Sequence, residues 1–557
     1  MPSTSISASD LEQLVGRRLE GDELRSAMFA CKAEIEEIEG DEIKLEIKDS
    51  NRIDLLSAEG IARTIKGFLG IETGLPRYKC SPSGITVRVD PSVSSVRPFV
   101  VAFVAEGVEL TEELIASYMA LQEKIHTSYG RGRRRTAIGF YDLDLIQPPI
   151  SYTVTSPDEN AFVPLGEVEK MTPREILERH PKGREFAHLL EGFEKYPILK
   201  DASGNVLSMP PIINSDTLGH VTADTQNLFV EATGSEFDTL VLGINVLATA
   251  LADRGATIKS VLLEYPDGIT RKTPDFSVEK RDLDPLHCNK VLGLDLSASE
   301  IVDLLRKARF DAISQDEKIE VSIPPYRRDV MHENDLIEDV AIVYGYARIE
   351  PVDPQIPTIG RPDPLEEFSD LIRDTMVGFG YQEIMTFILT SPDVVSRSMR
   401  NRRIAYVELE NPTTTSFSIF RPDLLPSILQ FLGRNAHVSY PQRVFEVGDA
   451  VMLNGENCET RRKLCFAWAD SRVNLTNIKA VVVSLLGLLD VAYSFEPTDE
   501  DPVFIPGRGA KVVSAEGTLG WFGEIHPEIL ENFEIPVPVL AAEFDVVLLM
   551  EKRSSGI

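Results

Sequence analysis

Several things are scarce in this 557-residue chain, and each scarcity excludes something. It has five cysteines, Cys31, Cys80, Cys288, Cys458 and Cys465, scattered and odd in number, with no pair at CxxC spacing. That argues against a zinc site and a disulfide framework, and fits a reducing cytoplasm. The longest apolar run, AVVVSLLGLL from Ala480 to Leu489, holds a Ser and ends at Asp490, too short to span a bilayer. The opening MPSTSISASDLEQLVG lacks a basic region followed by an apolar core, so no secretory signal is expected. Basic charge is in deficit: 57 Lys and Arg against 88 Asp and Glu leave a net charge of −31. Such a chain is soluble and repels nucleic acid in general, so an RNA or DNA partner would need a local basic patch. One stretch qualifies, RGRRR from Arg131 to Arg135, which reads equally as a solvated loop. The GxxxxGK[ST] phosphate loop is missing too.

The length calls for several domains, three to five on size alone. Helical and strand patterns alternate from the start. ASDLEQLVG offers a Ser or Asp cap before helically spaced apolar residues, and DEIKLEIKD alternates as a strand. LPRYKCSPSG breaks this pattern, which places an N-terminal α+β domain at 1–84. From 85 to 270 strands such as ITVRVD alternate with helices such as TEELIASYMALQEKIHTSYG, an α+β domain. A compact segment follows at 271–348. PVDPQIPTIGRPDP, with five prolines in fourteen residues, makes 349–364 an extended connector. The last domain, 365–557, opens with a helix carrying Leu365, Phe368, Ile372, Met376 and Phe379 on one face.

DVMHENDLIED, Asp329 to Asp339, is dense in carboxylates. A helix over Asn334–Tyr344 puts Leu336, Ile337, Val340, Ala341, Val343 and Tyr344 on one broad face, and Asp335, Glu338 and Asp339 opposite, with Ile342 intruding. Asp329 then folds back beside the first turn. Two readings are open: four converging oxygen ligands for a hard cation such as Mg²⁺, or an acidic first turn favoured by the helix dipole.

The stretch IPPYRRDVMHENDLIEDVAIVYGYARIEP resembles the signature of the phenylalanyl-tRNA synthetase beta subunits. DSNRIDLLSAEGIARTIKGFLG (49–70) resembles their N-terminal domain. GRRRTAIGFYDLDLIQPPISY and MPPIINSDTLGHVTADTQNLFVEATG resemble their editing domain, and ENPTTTSFSIFRPDLLPSILQFLGRNA their C-terminal synthetase-like core. These stretches stand in the family's order over nearly the whole chain, whose length suits the archaeal and eukaryotic-cytosolic type. The resemblance implies a multidomain α+β fold: an editing domain at 85–270, a winged-helix-like domain at 271–348 and an antiparallel class II synthetase-like core at 365–557. It implies Mg²⁺ on Asp329, Asp335, Glu338 and Asp339. It also implies an alpha subunit that binds ATP and phenylalanine, a two-alpha, two-beta assembly charging tRNA(Phe) in the cytoplasm, and hydrolysis of mischarged tyrosyl-tRNA(Phe).

The core itself lacks the residues of amino-acid activation. YPQRVFEVGDAVML (440–453) looks like the strand–loop–strand that carries a phosphate-binding Arg, but the Arg-x-Glu order is absent around Arg443. Neither PGRGAKV nor EGTLGWFGEIHPEIL reads as the Gly-rich motif, so this core is expected to be silent and Arg443 structural or interfacial. Editing has a physical motive, since an apolar pocket rejects an added hydroxyl by only roughly a hundredfold. A hydrolytic pocket that binds the phenol needs an acceptor and small polar groups. Glu231 and Thr233, two apart on a strand, and Asn214 and Ser215, in a turn after two prolines, are the candidates; a surface Glu and a turn-forming pair is the plain alternative. His220 is read as structural. Two other functions stay open at this level: a nucleic-acid-binding scaffold without editing, and an independent Mg²⁺-dependent phosphate enzyme.

Overall fold

A computed structural model describes residues 3–48, 51–455, 457–498 and 502–553. Residues 49 and 50, the first two of the 49–70 stretch, lie outside the described ones. The chain divides into two compact units, Met1–Asp353 and Pro354–Ile557.

The first unit is built on three sheets. Near the N-terminus Ser3–Ser7, Glu42–Ile47 and Ala33–Glu39 form an antiparallel sheet, and the alternation of EIKLEI puts Ile43, Leu45 and Ile47 inward. The first helix, Ala8–Val15, is capped by Ser7, two residues before the Ser and three before the Asp expected from the sequence.

The second sheet holds ten strands among the described residues. In spatial order nine of them run Ile213–Asn214, Val206–Met209, Tyr196–Lys200, Ile150–Thr155, Ser81–Val89, Thr257–Glu264, Phe99–Glu106, Asn227–Gly234 and Thr136–Asp142, and Thr270–Thr273 pairs beside Thr257–Glu264. Two domain limits read from the sequence therefore move. The limit at 84 falls inside Ser81–Val89, because Pro82 and Gly84 do not end the strand: the register against Thr257–Glu264 shifts between Ser260 and Leu262, next to Pro82, and this bulge accommodates a residue with no N–H to give. The limit at 270 falls at the start of a strand still in this sheet. The helix Phe237–Asp253, buried on every side from Thr239 to Leu251, packs into the same core as the central strands.

The third sheet, Glu279–Leu283, Lys318–Ile323 and Asp311–Gln315, is antiparallel and carries the helices Pro285–Leu292, Ala298–Lys307 and Glu333–Tyr344 over its own core. Residues 351–363 form neither helix nor strand, as their four prolines dictate.

The second unit begins with the helix Pro364–Gly378, whose Phe368, Ile372 and Met376 are buried as its spacing predicts. Its seven-stranded sheet runs Gln382–Glu383, Gln442–Asn454, Asn457–Ala469, Val539–Asp545, Gly517–Ile525, Phe504–Ser514, Ser494–Pro497, antiparallel except at the first pair. Strict alternation gives it two cores: Phe445, Leu464 and Phe466 on one face, Val444, Cys465 and Ala467 on the other.

Candidate functional site

The ten-stranded sheet curls until its two edge strands meet. Asn214, on one edge, donates from Nδ2 to the Phe140 carbonyl on the other at 3.2 Å, and Tyr141 Oη lies 3.3 Å from Asn214 Oδ1. Where the edges close there is a cavity of about 430 Å³, lined by Glu123, His126, Arg133, Ile138, Ser208, Asn214, His220 and Glu231 among others.

Glu231 is the one charged residue in the strand Asn227–Gly234 and is only 2% exposed. The strand lies between two others, opposite Ala102 on one side and Gly139 on the other. Gly139 is required there: a Cβ would stand 2.8 Å from Glu231 Oε1 and closer still to Tyr141 Oη. Through that gap Tyr141 donates its hydroxyl to Glu231 Oε1 at 2.9 Å. Glu231 Oε2 is buried with no partner among the described residues. Burial pushes the carboxyl up to about 8, against the pull of the Tyr141 hydroxyl and the Arg97 charge. An isolated buried carboxyl at a cavity wall is costly unless something completes it, which is the usual mark of a binding group.

The other expected members divide. Asn214 lines the cavity. Thr233 does not: it is fully buried, and its hydroxyl accepts from Arg97 Nε at 2.9 Å, so it holds Arg97 rather than an ester or a water. Ser215 is also turned away, accepting from the Leu218 N–H at 3.4 Å as the cap of the short helix Asp216–Gly219. His220 is exposed at the cavity. Sequence reading missed Tyr141, Gly139, Glu123, His126 and Arg133. Gly139 and Tyr141 lie in the quoted GFYD, but their pairing with Glu231 requires the register of two strands about ninety residues apart. His126 is structural: its Nε2 accepts from the Ile138 N–H at 2.7 Å, which leaves the proton on Nδ1, 3.3 Å from Glu123 Oε2. That hydrogen bond and the Arg133 guanidinium at 2.9 Å hold Glu123 down to about 2.

The acidic cluster is arranged otherwise than as four converging ligands. Arg327 lies between Asp329 and Asp339, giving Nε to Asp329 at 2.8 Å and Nη2 to Asp329 at 2.6 Å and Asp339 at 2.7 Å. Burial alone would raise the Asp329 carboxyl; Arg327 and Arg52 outweigh it and hold it down to about 2. Asp335 accepts the Met331 and His332 N–H groups, both at 2.7 Å, as part of the capping box of Glu333–Tyr344. Glu338 pairs with Lys32 at 3.0 Å. The face read as solvated is thus partly inside, with Asp339 and Ile342 buried, while Val343 and Tyr344 are only half-buried. Among the described residues no group of three carboxylate, His or Cys side chains is placed to hold a metal ion. As arranged, the four do not fit a Mg²⁺ cage formed by this chain alone.

In the second unit the stretch 440–453 is not the expected strand–loop–strand: 442–453 belong to one continuous strand, Gln442–Asn454, which pairs antiparallel with Asn457–Ala469. Arg443 stacks over the Trp468 ring at 3.8 Å, on the face opposite the buried carboxylates Glu446 and Glu543.

Fold and site define a multidomain chain of mixed helices and sheets with a cavity where the edges of its largest sheet close. Residues 281–346 match the family described as the tRNA synthetase B5 domain, and 349–546 the phenylalanyl tRNA synthetase beta chain CLM domain. The chain is 44% identical to the phenylalanine–tRNA ligase beta subunit of Pyrococcus furiosus, over 98% of this chain and 99% of that one. To the beta subunit of Archaeoglobus fulgidus it is 41% identical, over 98% of each. A crystal structure of an N-terminal fragment of the phenylalanyl-tRNA synthetase beta subunit from Pyrococcus horikoshii matches with a TM-score of 0.60 and 43% identity, covering 62% of this chain and all of that one. The chain belongs to the phenylalanine–tRNA ligase beta subunits. No helix among its described residues is long and apolar enough to cross a membrane.

Proposed function

We propose that this chain is the editing and scaffolding subunit of a cytoplasmic, class II phenylalanine–tRNA ligase. An alpha subunit binds ATP and phenylalanine and charges tRNA(Phe) within a two-alpha, two-beta assembly. This chain hydrolyses tyrosine wrongly attached to that tRNA. The observation that carries the editing reading is Glu231 Oε2, buried and unpartnered in the wall of a cavity of about 430 Å³.

Tyrosine differs from phenylalanine by one hydroxyl, and Oε2 offers that hydroxyl the hydrogen bond the protein leaves unmade. Phenylalanine would leave it unmade still, and a buried group without its partner costs about 1–3 kcal/mol. Tyr141 fixes the carboxyl from its other oxygen, so that Oε2 is the atom left over. Hydrolysis then adds a water oxygen to the ester carbonyl and releases tyrosine and the terminal ribose hydroxyl of the tRNA.

The test is deacylation of preformed tyrosyl-tRNA by the assembled enzyme. Glu231→Ala is expected to slow it roughly ten- to a hundredfold, the equivalent of about 1–3 kcal/mol. Deacylation at the wild-type rate would remove Glu231 from the pocket.

A further inference from the structure

Of the RGRRR motif only Arg133 has a part in the site as described. The helix Glu112–Thr127 and the strand Thr136–Asp142 both wall the cavity, the first through Gln122, Glu123 and His126, the second through Ala137, Ile138 and Phe140. The turn that joins them therefore sits at the cavity's rim. It is rigid. Arg131, Gly132 and Arg133 take left-handed conformations in succession, with φ of 48°, 62° and 65°. Residues with a Cβ adopt this only where the surroundings hold them. The backbone N–H groups of Arg131, Arg133 and Arg135 are all taken, by the Ser128, His126 and Gly130 carbonyls at 2.9–3.0 Å.

The arginines divide by direction. Arg133 turns inward: Nη1 donates to the Pro211 and Ile212 carbonyls at 3.2 and 3.0 Å, Nη2 to Glu123 at 2.9 Å, and the guanidinium covers the Phe186 ring at 4.0 Å. Arg135 pairs with Glu236 at 3.1 Å. Arg131 and Arg134 remain, both exposed, their guanidinium groups without an ion-pair or hydrogen-bond partner among the described residues. Three other cations of the same domain are neutralised: Arg174 by Asp158 at 2.7 Å, Arg179 by Glu175 at 3.5 Å, Lys182 by Glu185 at 2.9 Å.

We propose that Arg131 and Arg134 grip the phosphate backbone of an RNA strand whose 3′ end enters the cavity. This rests on the editing reading and names how its substrate is held. A cavity of about 430 Å³ has room for an aromatic side chain and its ester, not for the polyanion that carries them, which must lie across the rim. A chain with net charge −31 repels that polyanion elsewhere. Guanidinium groups match phosphate oxygens two at a time, and the turn beneath them is already fixed, so little backbone freedom is lost on binding.

The test uses the chain assembled with its alpha partner and follows both tyrosyl-tRNA deacylation and binding of uncharged tRNA as salt is varied. For Arg131→Gln/Arg134→Gln the second-order deacylation rate and the tRNA affinity should both fall at low salt. The log–log salt slope should be shallower by about 1.4, two single-strand phosphate contacts at about 0.7 each. Arg174→Gln, which removes an exposed but paired cation, should leave both slopes unchanged. An unaltered slope in the double variant overturns the proposal, and so does an equal change in Arg174→Gln. Polyglutamate that displaces tRNA from the wild type, and binds it more tightly than tRNA does, would assign the rim to an acidic protein instead. If the wild type binds tRNA but does not hydrolyse the ester, the editing reading fails, and the binding slopes alone decide whether these arginines hold RNA.

Discussion

At the scale of the residue, Glu231 carries the most information and could be picked out in advance. A single carboxylate in LFVEATG, a strand with apolar and small residues on both faces, is either misplaced or functional. Its neighbours could not be assigned that way. Thr233 shares the strand face with Glu231, but Arg97, 136 residues earlier in the chain, claims its hydroxyl. Ser215 looked like half of a polar pair with Asn214 and instead caps a four-residue helix. Side-chain direction was decided by groups remote in sequence. A pH test follows from the raised Glu231 carboxyl. Its folded value, about 8, lies above the ordinary carboxyl value of 4.5, so the folded state holds a proton that the unfolded chain releases. Below the unfolded value both states are protonated and nothing is lost. Between the two values folding must take up a proton, and stability falls as pH rises, by about 1.4 kcal/mol per pH unit. Glu231→Gln keeps the neutral shape and has no proton to lose. Its stability relative to wild type should rise across pH 5 to 8, as chemical denaturation at a series of pH values would reveal; a difference independent of pH would place the wild-type carboxylate already ionised.

At the scale of the element, the helix Glu333–Tyr344 shows how a correct periodicity leads to an incorrect environment. The sequence places the helix to within one residue and its apolar core at Leu336, Ile337, Val340 and Ala341. It does not show that Arg327, in the segment before the helix, would be drawn between Asp329 and Asp339, nor that Lys32, some three hundred residues earlier, would reach Glu338. Carboxylates with such partners are satisfied without a metal ion, and a buried guanidinium held by two carboxylates is costly to strip of them. Asp335 is the informative position, because its work is to cap: it accepts two backbone N–H groups at the helix start. Asp335→Asn should lower stability by about 1–2 kcal/mol, the usual cost of a weakened N-terminal cap. The loss should be the same in Mg²⁺ and in chelator, since a cap has no dependence on the ion. Melting curves in both conditions decide it, and a loss confined to Mg²⁺ would restore the four carboxylates as ligands of a bound ion.

At the scale of the whole molecule, Pro-rich breaks and changes of periodicity suggest a division of the chain, but the limit at 84 was misplaced because Pro82 and Gly84 are accommodated inside a strand, and the limit at 270 because the Pro266–Gly268 break is the turn of a hairpin joining Thr257–Glu264 to Thr270–Thr273. The second unit poses the remaining question, since its seven-stranded sheet lies in the part of the chain that the sequence reads as a silent synthetase-like core. On one face of that sheet Glu446, Cys465 and Glu543 stand in a row across three adjacent strands. The two carboxylates are closed off. Glu446 meets Arg421 at 2.8 Å and Thr386 Oγ1 at 2.6 Å; Glu543 meets Lys463 at 2.9 Å and accepts the Leu424 and Leu425 N–H groups at 3.0 and 3.1 Å. Activating an amino acid requires a cation facing the nucleotide phosphates. Arg421 is already committed to Glu446, Thr386 and the Asp449 carbonyl, and Arg443 lies stacked on Trp468 on the opposite face. Freeing Arg421 would leave Glu446 buried and unpaired, a loss of about 3–5 kcal/mol for a buried pair. The purified chain alone should therefore give no phenylalanine-dependent exchange of pyrophosphate into ATP, and exchange should appear when the alpha subunit is added. Substituting Arg421 should lower the stability of the second unit without creating or removing exchange in the isolated chain. Exchange by the chain alone that Arg421→Met abolishes would make this sheet face a working nucleotide site.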